Sequence, residues 1–135
     1  MKNFSNYKDY DKKENWKVGS KVVHGALGGE PVTGSVSFPI FQTATFKFRG
    51  LGDSLGFDYT RCQNPTIEEL ERTMAILEEG TEGFALSSGM AAVMCAFSIL
   101  KPEDHLILSD DIYGGTYEIA QTVLVDNKIE TSFVD

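Results

Sequence analysis

The 135-residue sequence contains few of the residues that build cross-linked or metal-bound folds. It has two cysteines, Cys62 and Cys95, and two histidines, His24 and His105. Two cysteines far apart in the sequence do not indicate a disulfide framework. Two separated histidines without a pair of cysteines do not make up a zinc site either. The sequence therefore predicts neither a disulfide scaffold nor a metal centre.

Basic residues are scarce as well, and long apolar runs are absent. Twelve Lys and Arg stand against twenty Asp and Glu, which gives a formal net charge of -8 at pH 7. This balance argues against a nucleic-acid partner or an anionic membrane surface, because both require clustered positive charge. The longest apolar stretch, residues 90–100, is interrupted by Ser98 and is far shorter than the ~20 residues that span a bilayer. The charged N-terminus lacks the apolar core of a signal peptide, so we expect a cytoplasmic protein.

The first 58 residues lack the periodicity of a folded domain. Residues 1–20 are polar and charged, which predicts a tail that is mobile or orders only against a partner, with Trp16 as its anchor. Residues 21–58 are broken by glycine and proline, so we expect an extended arm without a helix. Such an arm cannot form its own core, and we expect it to bury four apolar residues against another subunit. These residues are Phe38, Ile40, Phe41 and Phe46.

The first clear helix signal follows the tripeptide Asn-Pro-Thr at residues 64–66. Thr66 and Glu69 match a capping box, in which the two side chains satisfy free N–H groups of the first turn. Gly80 is expected to end this helix. Apolar residues recur at helical spacing between these points, which predicts one buried face. That face consists of Ile67, Leu70, Met74 and Leu77.

Residues 83–100 have the pattern of a buried strand, a turn of small residues and a buried helix. The turn is Ser-Ser-Gly-Met-Ala-Ala at residues 87–92. Free backbone N–H groups and the positive end of a helix dipole meet at such a turn, which favours binding of an anion, above all a phosphate. Ser87 or Ser88 can add a hydroxyl donor. The competing interpretation is a tight turn that binds nothing.

Strands and helices alternate through the rest of the chain. The pattern predicts a short buried strand at residues 105–109, a loop at 110–116, a helix at 117–125 and a strand at 128–135. This order indicates an α/β fold with a mainly parallel sheet, in which ligands bind beyond the carboxyl ends of the strands. Tyr113 lies at such an end before Gly114 and Gly115, so its ring could cover a flat phosphorylated ligand. A half-buried loop tyrosine is the competing interpretation.

Three segments resemble one enzyme family in their order and spacing. They are residues 59–66 (Tyr-Thr-Arg-Cys-Gln-Asn-Pro-Thr), residues 87–92, and residues 111–116 (Asp-Ile-Tyr-Gly-Gly-Thr). Together with the arm, they are similar to the Cys/Met-metabolism family of pyridoxal-phosphate (PLP) enzymes. That family includes cystathionine gamma-synthase, the cystathionine lyases, methionine gamma-lyase and the O-acyl-homoserine sulfhydrylases. The resemblance covers about residues 22–135.

The resemblance implies a fold and a division of the chain. The fold would be the N-terminal part of a PLP-transferase large domain of the aspartate-aminotransferase type, with a mainly parallel sheet and an extended N-terminal arm. Residues 1–58 would form the tail and arm that contact another subunit. Residues 59–135 would form the first, incomplete part of the PLP-binding α/β domain.

The resemblance also implies roles for individual residues. The backbone N–H groups of Gly89 and Met90, beside Ser88, would hold the PLP phosphate. Tyr113 would stack on the pyridine ring. Tyr59 and Arg61 would reach the phosphate of a neighbouring subunit, which agrees with an arm that packs on a partner. Tyr113 and Tyr59 would be the catalytic residues, Tyr59 through proton transfer at the substrate.

The same resemblance implies that essential groups are missing from these 135 residues. The family's Schiff-base lysine, the aspartate that pairs with the pyridine nitrogen and the arginine that holds the substrate carboxylate lie beyond the equivalent of Asp135. None of the chain's lysines stands in the corresponding motif, and a PLP enzyme requires that lysine. We therefore expect the N-terminal fragment of a trans-sulfuration enzyme for sulfur amino acids. It would be inactive alone, and it would form a homo-oligomer or pair with a full-length paralogue.

Two other functions compete with this expectation. A non-catalytic module could keep a phosphate-ligand site or a dimer surface and dock on a full-length paralogue. A serine hydrolase using Ser88 with His24 or His105 is weaker, because Leu86 stands where the nucleophile motif requires glycine. Within the family, Gly115 occupies the place where methionine gamma-lyases carry a cysteine, which disfavours that reaction and leaves the others open.

Overall fold

A computed structural model describes residues 16–24, 30 and 32–135. Most of the expected N-terminal tail, residues 1–15, lies outside the described residues, as do residues 25–29 and Pro31. The chain divides into two compact units, Met1–Ala85 and Leu86–Asp135.

Helix α1, Val18–His24, begins the described part of the first unit. The prediction of a tail up to residue 20 and a helix-free arm from residue 21 is wrong at this point. The N–H groups of Ser20 and Lys21 donate to the carbonyl of Lys17 at 2.9 and 3.1 Å and close the first turn. The rings of Trp16 and His24 meet edge to face with centroids 5.3 Å apart, so the predicted anchoring residue packs on the helix it precedes.

Helix α2, Pro65–Leu77, begins one residue before Thr66, and its N-cap is Asn64. Asn64 accepts a hydrogen bond from the N–H of Thr66 at 2.9 Å. Pro65 takes the first helical position, where a missing N–H has no cost. The predicted capping box of Thr66 and Glu69 is therefore wrong, because an asparagine two residues earlier already caps the helix.

The apolar face of α2 is only partly covered. Leu70 is 52% exposed and Met74 is 44% exposed, whereas the buried residues of the helix are Pro65 and Ala75. The predicted burial of this face is wrong for the first unit, because the other segments described there are an irregular arm and the short, exposed α1.

At the C-terminal end of α2 the left-handed position is taken by Glu79, whereas the sequence predicted that Gly80 would end the helix. Glu79 has a φ of 55°, in the left-handed region, and the N–H of Gly80 donates to the carbonyl of Ala75 at 2.8 Å. This is the hydrogen bond of a Schellman motif, in which glycine usually takes the left-handed place. Gly80 closes the motif one residue later.

The arm is held by an antiparallel bridge between Thr45 and Tyr59. The N–H of Phe46 donates to the carbonyl of Asp58, and the N–H of Thr60 donates to that of Ala44, both at 2.9 Å. The ring of Phe46 packs on Phe57, while Ile40 stays 75% exposed.

The second unit contains a two-stranded parallel sheet with helices, which confirms the α/β class. Its elements are α3 (Gly89–Phe97), β1 (His105–Ser109), α4 (Gly114–Ile119), a π-helical segment (Ala120–Leu124) and β2 (Glu130–Val134). The register pairs His105 with Glu130 and Ser109 with Val134. The predicted helix begins at Gly114, three residues early. Residues 83–86, predicted as a strand, are not part of any strand in the described sheet.

The core of the second unit lies on one face of this sheet. Its buried residues are Ala120, Leu124 and Ile129. Leu106 and Leu108 of β1 pack against them, whereas Ile107 points to the other face and is 61% exposed. The predicted burial of β1 is therefore half right, because the described helices of this unit cover one face only. No helix in the described residues is both long and apolar enough to cross a membrane.

Candidate cofactor site

The turn before α3 carries unpaired backbone donors. Ser88 is the N-cap, and its Oγ accepts a hydrogen bond from the N–H of Ala91 at 3.1 Å. Its carbonyl accepts from the N–H of Ala92 at 3.0 Å, the first bond of the helix. Gly89 and Met90 are the first two helical residues, whose N–H groups have no partner within a helix. Within the described residues neither N–H donates a hydrogen bond.

The surroundings of this turn suit an anion. Helix α3 has nine residues and no acidic side chain in its first turn, so nothing there opposes a negative ligand. A Cβ added at Gly89 would meet no heavy atom within 4 Å, so the backbone is open to close approach. These residues fit a phosphate group by the donor set they present.

Tyr113 occupies the N-cap position of α4 and makes no side-chain capping bond there. Its side chain is 73% exposed, which leaves the ring free to cover a ligand. Gly115, two residues after Tyr113, shows which side chain lies beside the ring. A Cβ added at Gly115 would lie 2.9 Å from Cε1 of Tyr113 and 3.1 Å from Sδ of Met90. The structure therefore brings Tyr113 and Met90 together around Gly115.

Thr116 also belongs to this candidate site, and the sequence interpretation assigned it no role there. It is 5% exposed, and its hydroxyl donates to Sδ of Met90 at 4.0 Å. The hydrogen bond joins α4 to the first turn of α3. Its only signal in the sequence is its place directly after Gly114 and Gly115.

Tyr59 and Arg61 lie together in the first unit. The guanidinium carbon of Arg61 is 4.9 Å from the centroid of the Tyr59 ring, which is cation–π geometry. The carbonyl of Tyr59 accepts from the N–H groups of Cys62 and Gln63 at 2.9 and 3.0 Å, so the chain turns sharply after the tyrosine. Arg61 is exposed, and Tyr59 is 37% exposed.

Asn64 holds this turn in place, a role that the sequence interpretation missed. Its Nδ2 donates to the carbonyl of Phe41 at 3.1 Å and to Oγ1 of Thr60 at 3.0 Å, while its Oδ1 caps α2. The side chain is 4% exposed. One buried amide therefore links the arm, the turn that carries Arg61, and the helix.

The residues proposed for a serine hydrolase are used elsewhere. The Oγ of Ser88 serves as a helix cap, and Nε2 of His105 lies 2.8 Å from Oγ of Ser132. His24 pairs with the ring of Trp16 in the first unit. In the described part of the chain no three Asp, Glu, His or Cys side chains gather as metal ligands.

Comparison with known proteins places this arrangement in a family. The family model described as "Cys/Met metabolism PLP-dependent enzyme" matches residues 19–135. The cystathionine beta-lyase of Lactococcus lactis subsp. cremoris is 43% identical over 118 residues, which cover 87% of this chain and 31% of that protein. The chain thus spans about a third of the length of the curated relatives it matches. These relatives are enzymes, which does not favour a non-catalytic module.

Solved structures give the same result. The structure of metB from Corynebacterium glutamicum matches with a TM-score of 0.82 at 39% identity, covering 90% of this chain and 32% of that one. The metY structure from Campylobacter jejuni, which contains N'-pyridoxyl-lysine-5'-monophosphate, matches with a TM-score of 0.76 at 32% identity and covers the same shares. The chain matches an N-terminal portion of such enzymes, and it belongs to the Cys/Met metabolism family, whose cofactor is pyridoxal phosphate.

Proposed function

We propose that this chain provides the phosphate-binding and ring-binding part of the PLP site of a cytoplasmic trans-sulfuration enzyme that acts on sulfur amino acids. One observation carries the proposal. The unpaired N–H groups of Gly89 and Met90 lie in the same unit as the exposed ring of Tyr113, and a Cβ at Gly115 would meet side-chain atoms of both Tyr113 and Met90.

The first turn of α3 would bind the phosphate. The N–H groups of Gly89 and Met90 would each donate to a phosphate oxygen, and the positive end of the helix dipole would favour the charge. Ser88 uses a lone pair of Oγ for its cap, so its O–H proton remains available as a third donor. The first turn of α3 contains no acidic side chain that would oppose the negative charge of a phosphate.

The ring of Tyr113 would cover the pyridine ring of the cofactor. Because Gly115 has no side chain, the tyrosine ring can approach to 2.9 Å from the position that a Cβ would take. Offset stacking of two aromatic rings contributes about 0.5–1.5 kcal/mol beyond the area that it buries. When bound, PLP supplies the electron sink for breaking or forming a C–S bond.

Tyr59 and Arg61 would serve the site of a neighbouring subunit, in a homo-oligomer or in a pair with a longer paralogue. The planar guanidinium of Arg61 suits a phosphate, and stacking on Tyr59 orients it. The phenol of Tyr59 would hold or move a proton at the substrate. In this proposal residues 1–58 are the contact arm, and residues 59–135 are the first part of the cofactor-binding domain.

The reaction type within the family stays open in this proposal, apart from the methionine gamma-lyase type that Gly115 disfavours. No lysine of this chain is assigned the covalent bond to PLP. We therefore expect the 135 residues alone to bind cofactor analogues without turning over cystathionine or another sulfur amino acid.

The test is equilibrium binding of 4'-deoxypyridoxine 5'-phosphate, which has the ring and the phosphate of PLP but no aldehyde to react with surface lysines. We expect it to bind the chain at least tenfold more tightly than dephosphorylated 4'-deoxypyridoxine. Tyr113→Ala should weaken binding of the phosphorylated probe, whereas Tyr113→Phe should bind within about twofold of the wild type because stacking requires only the ring. Equal binding of the two probes, or no loss in Tyr113→Ala, would refute the proposal.

A further inference from the structure

Thr116 and Met90 form a contact that joins the two halves of the proposed site. Thr116 is 5% exposed, and its one hydrogen bond from the side chain within the described residues goes to Sδ of Met90, 4.0 Å away. Met90 also provides one of the two N–H groups at the start of α3. Thr116 therefore contacts the side chain of a residue, Met90, whose own backbone N–H is one of the donors of the proposed phosphate turn.

The same sulfur lies near the ring of Tyr113. A Cβ placed on Gly115 would lie 2.9 Å from Cε1 of Tyr113 and 3.1 Å from Sδ of Met90, so these two atoms are within about 6 Å of each other. A sulfur near the edge of an aromatic ring is a favourable contact at about that distance. The sulfur of Met90 thus lies 4.0 Å from the hydroxyl of Thr116 and within about 6 Å of the ring of Tyr113.

The hydroxyl at position 116 needs an explanation beyond packing. A sulfur is a weak acceptor, and a buried hydroxyl with only a weak partner costs stability relative to an apolar group of the same shape. Valine has that shape and would fill the same space. Methionine, in contrast, has three rotatable bonds and no strong preference for one orientation. A directional contact from Thr116 restricts that freedom.

We propose that Thr116 is a positioning residue of the cofactor site: its hydroxyl holds the side chain of Met90 between α3 and α4. This fixes the phosphate turn relative to the ring of Tyr113. The inference rests on the proposed function, since it assigns the two ends of one cofactor to these two elements. Losing the hydroxyl would leave both parts of the site present but variable in their spacing, so a ligand that uses both would bind more weakly.

The experiment compares Thr116→Val, which removes the hydroxyl and keeps the shape, with Thr116→Ser, which keeps the hydroxyl. Thr122→Val is the matched control, because Thr122 also has a hydroxyl in the following π-helical segment but donates to the carbonyl of Glu118 at 2.7 Å. All variants are made in the 135-residue chain. Binding of 4'-deoxypyridoxine 5'-phosphate and of inorganic phosphate is measured for each.

We expect Thr116→Val to weaken binding of 4'-deoxypyridoxine 5'-phosphate by about tenfold and binding of inorganic phosphate by less than threefold, because phosphate alone uses only the turn. Thr116→Ser and Thr122→Val should bind both probes within about twofold of the wild type. Equal losses for the two probes in Thr116→Val, or no loss for either, would overturn the proposal.

A second measurement reports the contact itself without a ligand. The chain has four methionines, so the methyl resonance of Met90 in a [methyl-13C]Met sample is assigned by comparison with Met90→Leu. Thr116→Val should shift the Met90 signal and leave those of Met74 and Met94 in place. An unchanged Met90 signal would overturn the inference whatever the binding results. If the wild type binds neither probe while this signal shifts, the proposed function fails, and with it the positioning role that rests on it.

Discussion

The backbone carbonyl of Glu71 in α2 lies so close to the α-carbon of Gly83 that no side chain fits at that glycine. A Cβ on Gly83 would overlap the carbonyl oxygen and would lie 3.2 Å from the carbonyl carbon of Glu71. The carboxylate of the same glutamate accepts a hydrogen bond from the N–H of Ala85 at 2.8 Å. Residues 83–85 therefore pack against α2 through the backbone of Glu71 and are hydrogen-bonded to its side chain.

Replacement of Gly83 by alanine should destabilise the protein by about 1–3 kcal/mol, since the new methyl group meets backbone atoms that cannot rotate away. Chemical denaturation measures the loss. Gly50→Ala is the control, because a Cβ there meets nothing within 4 Å and its φ is not positive. Equal stability of the two variants would show that the contact between Gly83 and Glu71 is not as close as described.

Replacement of Glu79 by glycine should stabilise the protein by ~1 kcal/mol. Glu79 takes the left-handed position of the Schellman motif, which strains a residue with a Cβ and suits glycine. The change also removes a negative charge from the negative end of α2. Glu78→Gly is the matched control: it removes the same charge at a residue with a φ of -94° and should give no such gain. A similar gain in both variants would assign the effect to charge alone.

Asn64→Ala should cost about 2 kcal/mol or more, because it removes a helix cap and leaves the carbonyl of Phe41 without its amide partner. Asn64→Asp separates the two effects. It keeps the oxygen that accepts from the N–H of Thr66 and loses the amide that donates to the arm. We expect Asn64→Asp to retain the helix signal in circular dichroism and to raise hydrogen exchange at Phe46 and Thr60. Unchanged exchange in that variant would contradict the link between arm and helix.

Glu30 makes stability depend on pH in a defined direction. The hydroxyl of Thr33 donates to its carboxylate at 2.7 Å and lowers its pKa most, followed by the N–H of Val32, while burial opposes them. Its pKa in the folded protein is therefore below the ordinary value of 4.5. The stabilisation is complete above pH 4.5 and is lost as the pH falls below 4.5 through the lowered pKa.

Glu30→Gln, which does not titrate, should flatten this part of the curve of unfolding free energy against pH. The same curve for Glu82→Gln, a change at an exposed glutamate, serves as the control. A curve for Glu30→Gln that falls in acid as steeply as that of the wild type would contradict the assignment.

The sequence predicted the α/β class and the parallel strands from local signals, and it indicated the family through the resemblance of three segments in their order and spacing. A short buried apolar run predicted β1, and alternation of apolar residues predicted β2. The small residues at 87–92 predicted the turn before α3. Burial was harder to predict, because the face of α2 with Leu70 and the outer side of β1 with Ile107 depend on which other elements cover them. Periodicity shows which residues share a face, but it does not show whether another element packs on that face.

The details that the sequence missed are of a different kind. Asn64 and Thr66 are both good caps, and the choice between them was made by tertiary contacts, since the hydroxyl of Thr66 accepts from the N–H of Phe41 at 2.9 Å. The contact between Thr116 and Met90 joins residues far apart in the chain and has no local pattern. Such side-chain contacts follow from packing, which the sequence alone does not display.

The central claim is that the N–H groups of Gly89 and Met90 bind the phosphate of the cofactor, and amide NMR tests it most directly. The 15N-labelled chain is titrated with 4'-deoxypyridoxine 5'-phosphate and, separately, with 4'-deoxypyridoxine. We predict that the amide protons of Gly89 and Met90 shift downfield with the phosphorylated probe only, as expected for new hydrogen bonds to an anion. Resonances of Gly89 and Met90 that stay in place while the phosphorylated probe binds would contradict the account.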